Sequence, residues 1–155
     1  HNHDGWGYWL MHFATSYRAR QVYNNELYSG GKLQVHCGRP GLKMLSYNCL
    51  DEVQMCMFDD DARAATRKAL MEDIPALVAD SGNAMSLMDF YASAYNETPA
   101  HSDDIHDAMI ACPDLEVITE TGGVRRSGKA IKPTDIVKLQ SQLRFVFGFP
   151  EGPDT

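Results

Sequence analysis

Residues 86–131 read SLMDFYASAYNETPAHSDDIHDAMIACPDLEVITETGGVRRSGKAI, and the order of polar and apolar residues in them predicts two helices followed by a hairpin. Ser86 is a typical N-cap, and apolar residues follow it at helical spacing. A turn at residues 96–99 separates this helix from another over about residues 100–111. On the second helix, the residues predicted to face inward are Ile105, Ala108 and Met109.

The hairpin is predicted from an alternating strand at residues 115–119, a turn at residues 121–123 and a returning strand over residues 124–131. Upstream, residues 62–79 predict a longer helix, which Pro75 should kink or break. A helix, a second helix, a turn, a third helix and a hairpin form the order that is typical of a winged helix. The predicted fold class is therefore α+β, a winged helix-turn-helix domain preceded by a small α/β segment.

The chain is predicted to divide into an α/β segment at residues 1–58, a winged-helix domain at residues 59–147 and a flexible tail at residues 148–155. Within the first part, residues 8–14 are apolar and aromatic like a buried strand, and residues 53–58 alternate like another. The opening resembles the interior of a domain, which predicts that the chain is either the C-terminal portion of something longer or a trimmed form of the protein. A strand cut from its sheet leaves an exposed edge, and such an edge favours pairing with a second copy.

A helix is also predicted over residues 16–28, with Thr15 or Ser16 as its N-cap. Its predicted buried face consists of four residues at helical spacing, namely Ala19, Val22, Tyr23 and Leu27. Arg18 and Arg20 flank this face and are predicted to point toward solvent or a partner.

Composition excludes several classes of protein. The chain has 155 residues, of which 44% are apolar, enough for one domain with a core of its own. It contains no apolar run of the ~18 residues that a membrane-spanning helix needs. Four cysteines are too few for a disulfide scaffold, which predicts a reducing cytoplasm. The net charge of −7 argues against a general electrostatic attraction to nucleic acid.

Charge is nevertheless distributed unevenly over the predicted domain. Residues 97–114, which include the third helix, carry five carboxylates and no lysine or arginine, so this helix is a poor reader of DNA. The hairpin carries the candidate binding residues, Arg125, Arg126, Lys129 and Lys132. These cations could make a weak, salt-sensitive contact with phosphates, bind a protein that bears carboxylates, or simply keep a sheet edge soluble.

No complete set of catalytic, metal-binding or cofactor-binding residues is recognisable. The chain lacks the paired C-x2–4-C spacing of zinc sites, and His36, Cys37, Cys49 and Cys56 could bind zinc only if a loop brought them together. It also lacks a G-x-S-x-G elbow, a P-loop and a G-x-G-x-x-G turn. We therefore predict no catalytic residues, no metal and no cofactor for this chain.

Several stretches together resemble the three-Cys-motif partner protein family. Residues 8–24, YWLMHFATSYRARQVYN, and residues 41–47, GLKMLSY, resemble the late part of its methyltransferase-like domain. Further stretches are similar to its C-terminal winged helix, namely residues 98–100, 115–119, 122–126 and 131–136 with Gln140 and Gln142.

The resemblance implies an S-adenosylmethionine methyltransferase-like Rossmann domain joined to a winged helix, and a partner protein that carries a three-cysteine cluster. In that family the glycine-rich cofactor loop belongs to the first half of the Rossmann domain, and this sequence has no counterpart of it. Residues 1–58 would then be a remnant of such a domain, and methyl transfer by this chain alone is not expected.

Three hypotheses about function remain open. The leading one is a non-catalytic winged-helix module that binds nucleic acid through its basic wing or docks a protein partner. The second is the C-terminal part of an S-adenosylmethionine-dependent methyltransferase-like enzyme. The third is an oligomerisation or interaction domain, with residues 8–14 pairing between copies.

Overall fold

The structure is a computed structural model that describes residues 13–29, 35–37, 40–42, 55–57 and 60–140. In this part of the chain the helices are α1 (Tyr17–Ser29), α2 (Asp60–Asp80), α3 (Leu87–Ala94) and α4 (Ser102–Ala111). The strands are β1 (Val35–Cys37), β2 (Met55–Met57), β3 (Ala84–Ser86), β4 (Leu115–Ile118) and β5 (Ile136–Leu139), and a 3-10 turn spans Gly128–Ala130. The fold of the described residues is mixed α+β: four helices and a small three-stranded antiparallel sheet, with β1 and β2 paired separately.

The three-stranded sheet has the order β3-β5-β4, and both pairs are antiparallel. The central strand β5 places Val137 opposite Met85 on one side and opposite Val117 on the other. Val117 and Val137 are buried, so this face of the sheet forms part of the core. Strand β3 was not predicted, because three residues are too few to show an alternating pattern and the strand is defined by its pairing with β5.

The predicted hairpin is wrong in its second strand. β4 pairs with β5, and residues 124–131 contribute only an isolated bridge between Val124 and Ile118 and one bond from the Arg125 amide to the Val117 carbonyl, 2.8 Å long. The reason is the polar run from Arg125 to Gly128, which offers no apolar face for the core. β5 supplies that face, and residues 124–132 become the connection between the two strands.

Helices α2, α3 and α4 cover the buried face of the sheet. Their fully buried side chains include Leu70, Ile74 and Val78 on α2, Leu87 and Phe90 on α3, and Ile105 and Met109 on α4. The predicted inward face of α4 is confirmed. The predicted N-cap of α3 is confirmed as well, since the Ser86 hydroxyl accepts a hydrogen bond of 3.1 Å from the Asp89 amide.

Pro75 does not break α2, which continues from Asp60 to Asp80. A proline inside a helix leaves the carbonyl four residues earlier without its usual donor. Here that carbonyl belongs to Met71, and the Cys112 thiol lies 3.8 Å from it as a weak donor. Ile74 and Val78 on either side of the proline are buried, so packing holds both halves of the helix in place.

Helix α1 begins as predicted, with the Ser16 hydroxyl accepting from the Arg18 amide at 3.2 Å. Its predicted buried face is wrong: Val22 is 53% exposed, and the buried residues are Gln21 and Asn24. The side-chain amide of Asn24 donates to the Thr98 carbonyl at 2.7 Å. α1 thus packs on the polar turn between α3 and α4, where buried carbonyls need donors that apolar residues lack.

The two arginines of α1 differ from each other. Arg18 is exposed as predicted, whereas the Arg20 guanidinium lies 3.2 Å from the Tyr95 carbonyl, to which it donates, and over the Tyr23 ring. Arg20 therefore joins α1 to the end of α3 and does not point outward.

Some predictions fall on residues that the structure does not describe. These include most of the predicted strand at residues 8–14 and the tail at residues 148–155. Phe13 and Ala14, at the end of the first of these, belong to no regular element. The predicted strand at residues 53–58 is present as β2, paired antiparallel with β1.

No helix in the described ranges has the length and apolar character needed to cross a membrane.

Gly41 has a φ of +103° and lies against α2, so we predict that Gly41→Ala destabilises the protein by about 2–4 kcal/mol. An added Cβ would overlap the Asp73 carboxylate, which accepts from the Leu42 amide at 2.9 Å, and would lie 3.0 Å from the Ala69 Cβ. The free energy of unfolding, measured in urea, tests this prediction.

Gly82 is the matched control. Its φ is +90°, but a Cβ there would meet nothing within 4 Å, so Gly82→Ala adds backbone strain alone, about 1 kcal/mol. Equal losses in the two variants would show that residues 40–42 are not fixed against α2.

Candidate functional site

The four predicted binding residues lie in residues 124–132, which we call the basic segment, and this segment crosses α4. Gly128 is the residue of the segment that contacts α4. A Cβ on it would lie 2.5 Å from the Asp107 carboxylate, 3.1 Å from the Asp107 amide nitrogen and 3.1 Å from the His106 Cβ. Because so little space separates the two backbones, only glycine fits here. The basic segment is therefore held against the body of the domain at its midpoint.

Asp135 holds the same segment near both of its ends. The Arg125 guanidinium donates twice to the Asp135 carboxylate, over 2.8 Å from Nε and 3.0 Å from Nη2. The Lys132 amide donates to the same carboxylate at 2.8 Å. Asp135 is only 1% exposed, so its charge is compensated by these donors and not by water.

Burial tends to raise the pKa of the Asp135 carboxyl, but the bonds from Arg125 and Lys132 outweigh it, and the pKa lies below its ordinary value. The same pairing raises the pKa of Arg125. Arg125 is thus engaged inside the protein, and of the four predicted residues it is the one whose side chain supports the segment.

The other three residues, Arg126, Lys129 and Lys132, are exposed. None of their side chains forms a hydrogen bond or salt bridge with a described residue. By contrast, the half-buried Lys138 on β5 pairs with Glu116 on β4 at 2.9 Å, and its charge is compensated on the sheet. The structure therefore brings three available cations together on one backbone that is fixed at three points.

Not all carboxylates of helix α4 lie at its surface. Asp104 is fully buried, and it accepts from Arg63 Nε at 2.6 Å and from Arg67 Nε at 2.7 Å, both on α2. Two arginines four residues apart on one helix face are a signal that sequence reasoning missed. Asp103 and Asp107 remain exposed, so the surface that α4 presents is still negative.

Helix α1 covers the beginning of α4. The Asn25 side chain and Ser102 exchange two hydrogen bonds of 2.9 Å, from Asn25 Nδ2 to the hydroxyl and from the Ser102 amide to Asn25 Oδ1. At the end of α1, Tyr28 packs its ring against Arg63 and edge-on against His101. Burial, followed by the nearby Asp104 charge, raises the pKa of Tyr28 to about 12.

A groove of about 450 Å³ lies between α1, α4 and the 3-10 turn. Its lining is mostly polar and includes Arg18, Asp103, His106 and Lys129. Arg18 Nη1 donates to Gln21 Oε1 at 2.8 Å, which orients its guanidinium, and His106 Nε2 lies 2.8 Å from the Tyr91 hydroxyl. Burial lowers the pKa of His106, which keeps its ring neutral at pH 7. Sequence reasoning did not find this groove, because its walls come from segments far apart in the chain.

The structure does not describe the side chains of the metal ligands considered from the sequence, namely His36, Cys37, Cys49 and Cys56. The expectation that they bind no metal therefore stays a prediction. Within the described residues, no three His, Cys, Asp or Glu side chains are grouped so that they could hold a metal ion.

We predict that Asp135→Asn destabilises the protein by about 1–3 kcal/mol at pH 7, because it removes the charge that Arg125 compensates. A carboxyl whose pKa is lower in the folded state stabilises the fold above its unfolded pKa of about 3.9, and this contribution is lost as the pH falls through the folded value. The difference in the free energy of unfolding between wild type and variant should therefore shrink below about pH 4.

Unfolding in urea at several pH values measures both effects. Asp114→Asn is the control, since Asp114 is exposed and its side chain makes no bond to a described residue. If the difference in the free energy of unfolding between wild type and Asp135→Asn stays constant down to about pH 2, the pairing of Asp135 with Arg125 is contradicted.

Comparison with known proteins yields no match: no family model, no curated protein and no solved structure corresponds to this chain. The resemblance to three-Cys-motif partner proteins therefore stays a prediction from the sequence.

Proposed function

We propose that this chain contains a winged-helix module that binds the phosphate backbone of nucleic acid through Arg126, Lys129 and Lys132. The order α2, β3, α3, α4, β4, β5, with β5 between the other two strands, supports a winged-helix fold. In such a fold the connection between the last two strands is the wing. The basic segment occupies this position, although it is a looped connection and not the two-stranded ribbon predicted from the sequence.

The observation that carries this proposal is a set of three cations, none in a side-chain hydrogen bond or salt bridge with a described residue, on a backbone held by Asp135 and by the close approach of Gly128 to α4. Cations whose backbone is already ordered lose less conformational entropy when they bind. Three cations neutralise about three phosphates, and each released counterion makes the affinity more sensitive to salt.

The charge of helix α4 and its coverage by α1 also support the proposal. In many winged helices the third helix enters the major groove. Here that helix exposes Asp103 and Asp107, which phosphates repel, and α1 covers its first turn through the Asn25–Ser102 bonds. The base-reading element is thus absent from the interface, so the module contacts the backbone and binds without strong preference for sequence. The net charge of −7 keeps this binding weak.

We predict that the triple substitution of Arg126, Lys129 and Lys132 by alanine weakens binding to a short oligonucleotide at least about 10-fold at about 50 mM salt. The slope of log K against log salt should fall by about 2–3, because about three phosphate contacts are lost. Fluorescence anisotropy with a labelled oligonucleotide measures both quantities.

Lys68→Ala serves as the matched control, since Lys68 is an exposed cation on α2, far along the chain from the basic segment. It removes one charge, as the single variant Lys129→Ala does, but should leave the slope unchanged, whereas Lys129→Ala should lower it by about 1. If wild type shows no binding at about 50 mM salt, or if the triple variant binds as well as wild type, the proposed function is wrong.

A further inference from the structure

We infer that the strand this module binds is single-stranded, with one unpaired nucleotide held in the groove between α1, α4 and the 3-10 turn. This inference rests on the proposed function and adds the class of nucleic acid to it.

Lys129 connects the two surfaces. It belongs to the basic segment, where its charge is available to a phosphate, and it also lines the groove. A backbone that follows Arg126 and Lys129 therefore passes the mouth of the groove. At that point an unpaired nucleotide can turn its base inward, whereas a paired base stays stacked in its duplex.

The size and walls of the groove suit a base. Its volume of about 450 Å³ lies within the range of small-ligand clefts. Two flat groups line it: the Arg18 guanidinium, which Gln21 orients, and the His106 ring, which Tyr91 holds at Nε2. Guanidinium and imidazole planes are among the surfaces on which proteins stack unpaired bases.

The polar groups of the groove also favour a nucleotide over a simple anion. Asp103 lines the groove beside the cations and is 64% exposed, so it would oppose a bare phosphate but can accept from the amino group of a base. The 2.8 Å bond between His106 Nε2 and the Tyr91 hydroxyl leaves His106 Nδ1 to contact a base, as a donor or an acceptor according to the tautomer. Donor, acceptor and flat surfaces thus lie beside the phosphate-binding cations, which matches the parts of one nucleotide.

A duplex fits this surface poorly. The element that would enter its major groove is α4, whose exposed carboxylates repel phosphates and whose first turn α1 covers. On this side of the described domain, the basic segment is the element that a duplex can touch. We therefore expect duplex binding to depend on the three cations alone, and single-strand binding to depend on the cations and the groove together.

The test fills the groove without disturbing the core. Val22 lines the groove and is 53% exposed, so Val22→Trp places a large side chain in it while leaving the packing of α1 unchanged. Ala19→Trp is the matched control, because Ala19 is an exposed residue of the same helix that does not line the groove. Circular dichroism and thermal unfolding confirm that both variants fold like wild type.

Binding is measured by anisotropy with an oligo-dC of about 15 nucleotides and with a duplex of equal length, at one salt concentration. We expect wild type to bind the single strand at least about 5-fold more tightly than the duplex. Val22→Trp should remove this preference and leave duplex binding unchanged, and Ala19→Trp should keep the preference.

Equal binding of both nucleic acids by wild type, or equal single-strand affinities of Val22→Trp and Ala19→Trp, would overturn the inference. In that case, loss of all binding in the triple alanine variant would still support the proposed function, so the two failures are distinguishable. An oligo-glutamate of similar charge that displaces the oligo-dC equally well would overturn the inference in favour of an acidic protein partner.

Discussion

The buried carboxylate of Asp135 determines the shape of the surface on which both proposals stand. It accepts two bonds from Arg125 and one from the Lys132 amide, and so it ties the beginning and the end of the basic segment to the residue that precedes β5. Without this anchor, a polar connection between two strands would have no reason to stay close to the protein. With it, Gly128 is brought against α4, and the remaining cations project from an ordered backbone.

A second buried carboxylate, Asp104, has a complementary effect on the helices. Its pairing with Arg63 and Arg67 joins α4 to α2 and removes one negative charge from the surface. Removing both arginines would be costly, because the buried carboxylate would be left as an uncompensated charge. The surface charge of this domain therefore depends on which ionic groups are paired internally, and a simple count along the sequence does not give it.

Helix α1 shows how a polar interface can complete a site. Gln21 and Asn24 are buried against the turn between α3 and α4, and Asn25 is bonded to the first residue of α4. This arrangement turns the exposed side of α1, with Arg18 and Val22, toward the 3-10 turn, and the groove lies between them. If α1 had an apolar face packed on the core, it would not need these bonds. It would then not cover the first turn of α4.

Local sequence determined the α+β class, the extent of α1, α3 and α4, the cap at Ser86 and the inward face of α4, because these follow from helical spacing and capping within a few residues. It also located the cations of the basic segment. It did not determine the partner strand of β4, the polar buried face of α1, the continuity of α2 through Pro75 or the internal pairing of Arg125. Each of these depends on a group distant in the chain: β5 opposite β4, Thr98 beside Asn24, Cys112 beside Met71 and Asp135 beside Arg125. Burial makes such pairings obligatory, since a polar group removed from water needs a partner, and only the tertiary structure decides which partner is within reach.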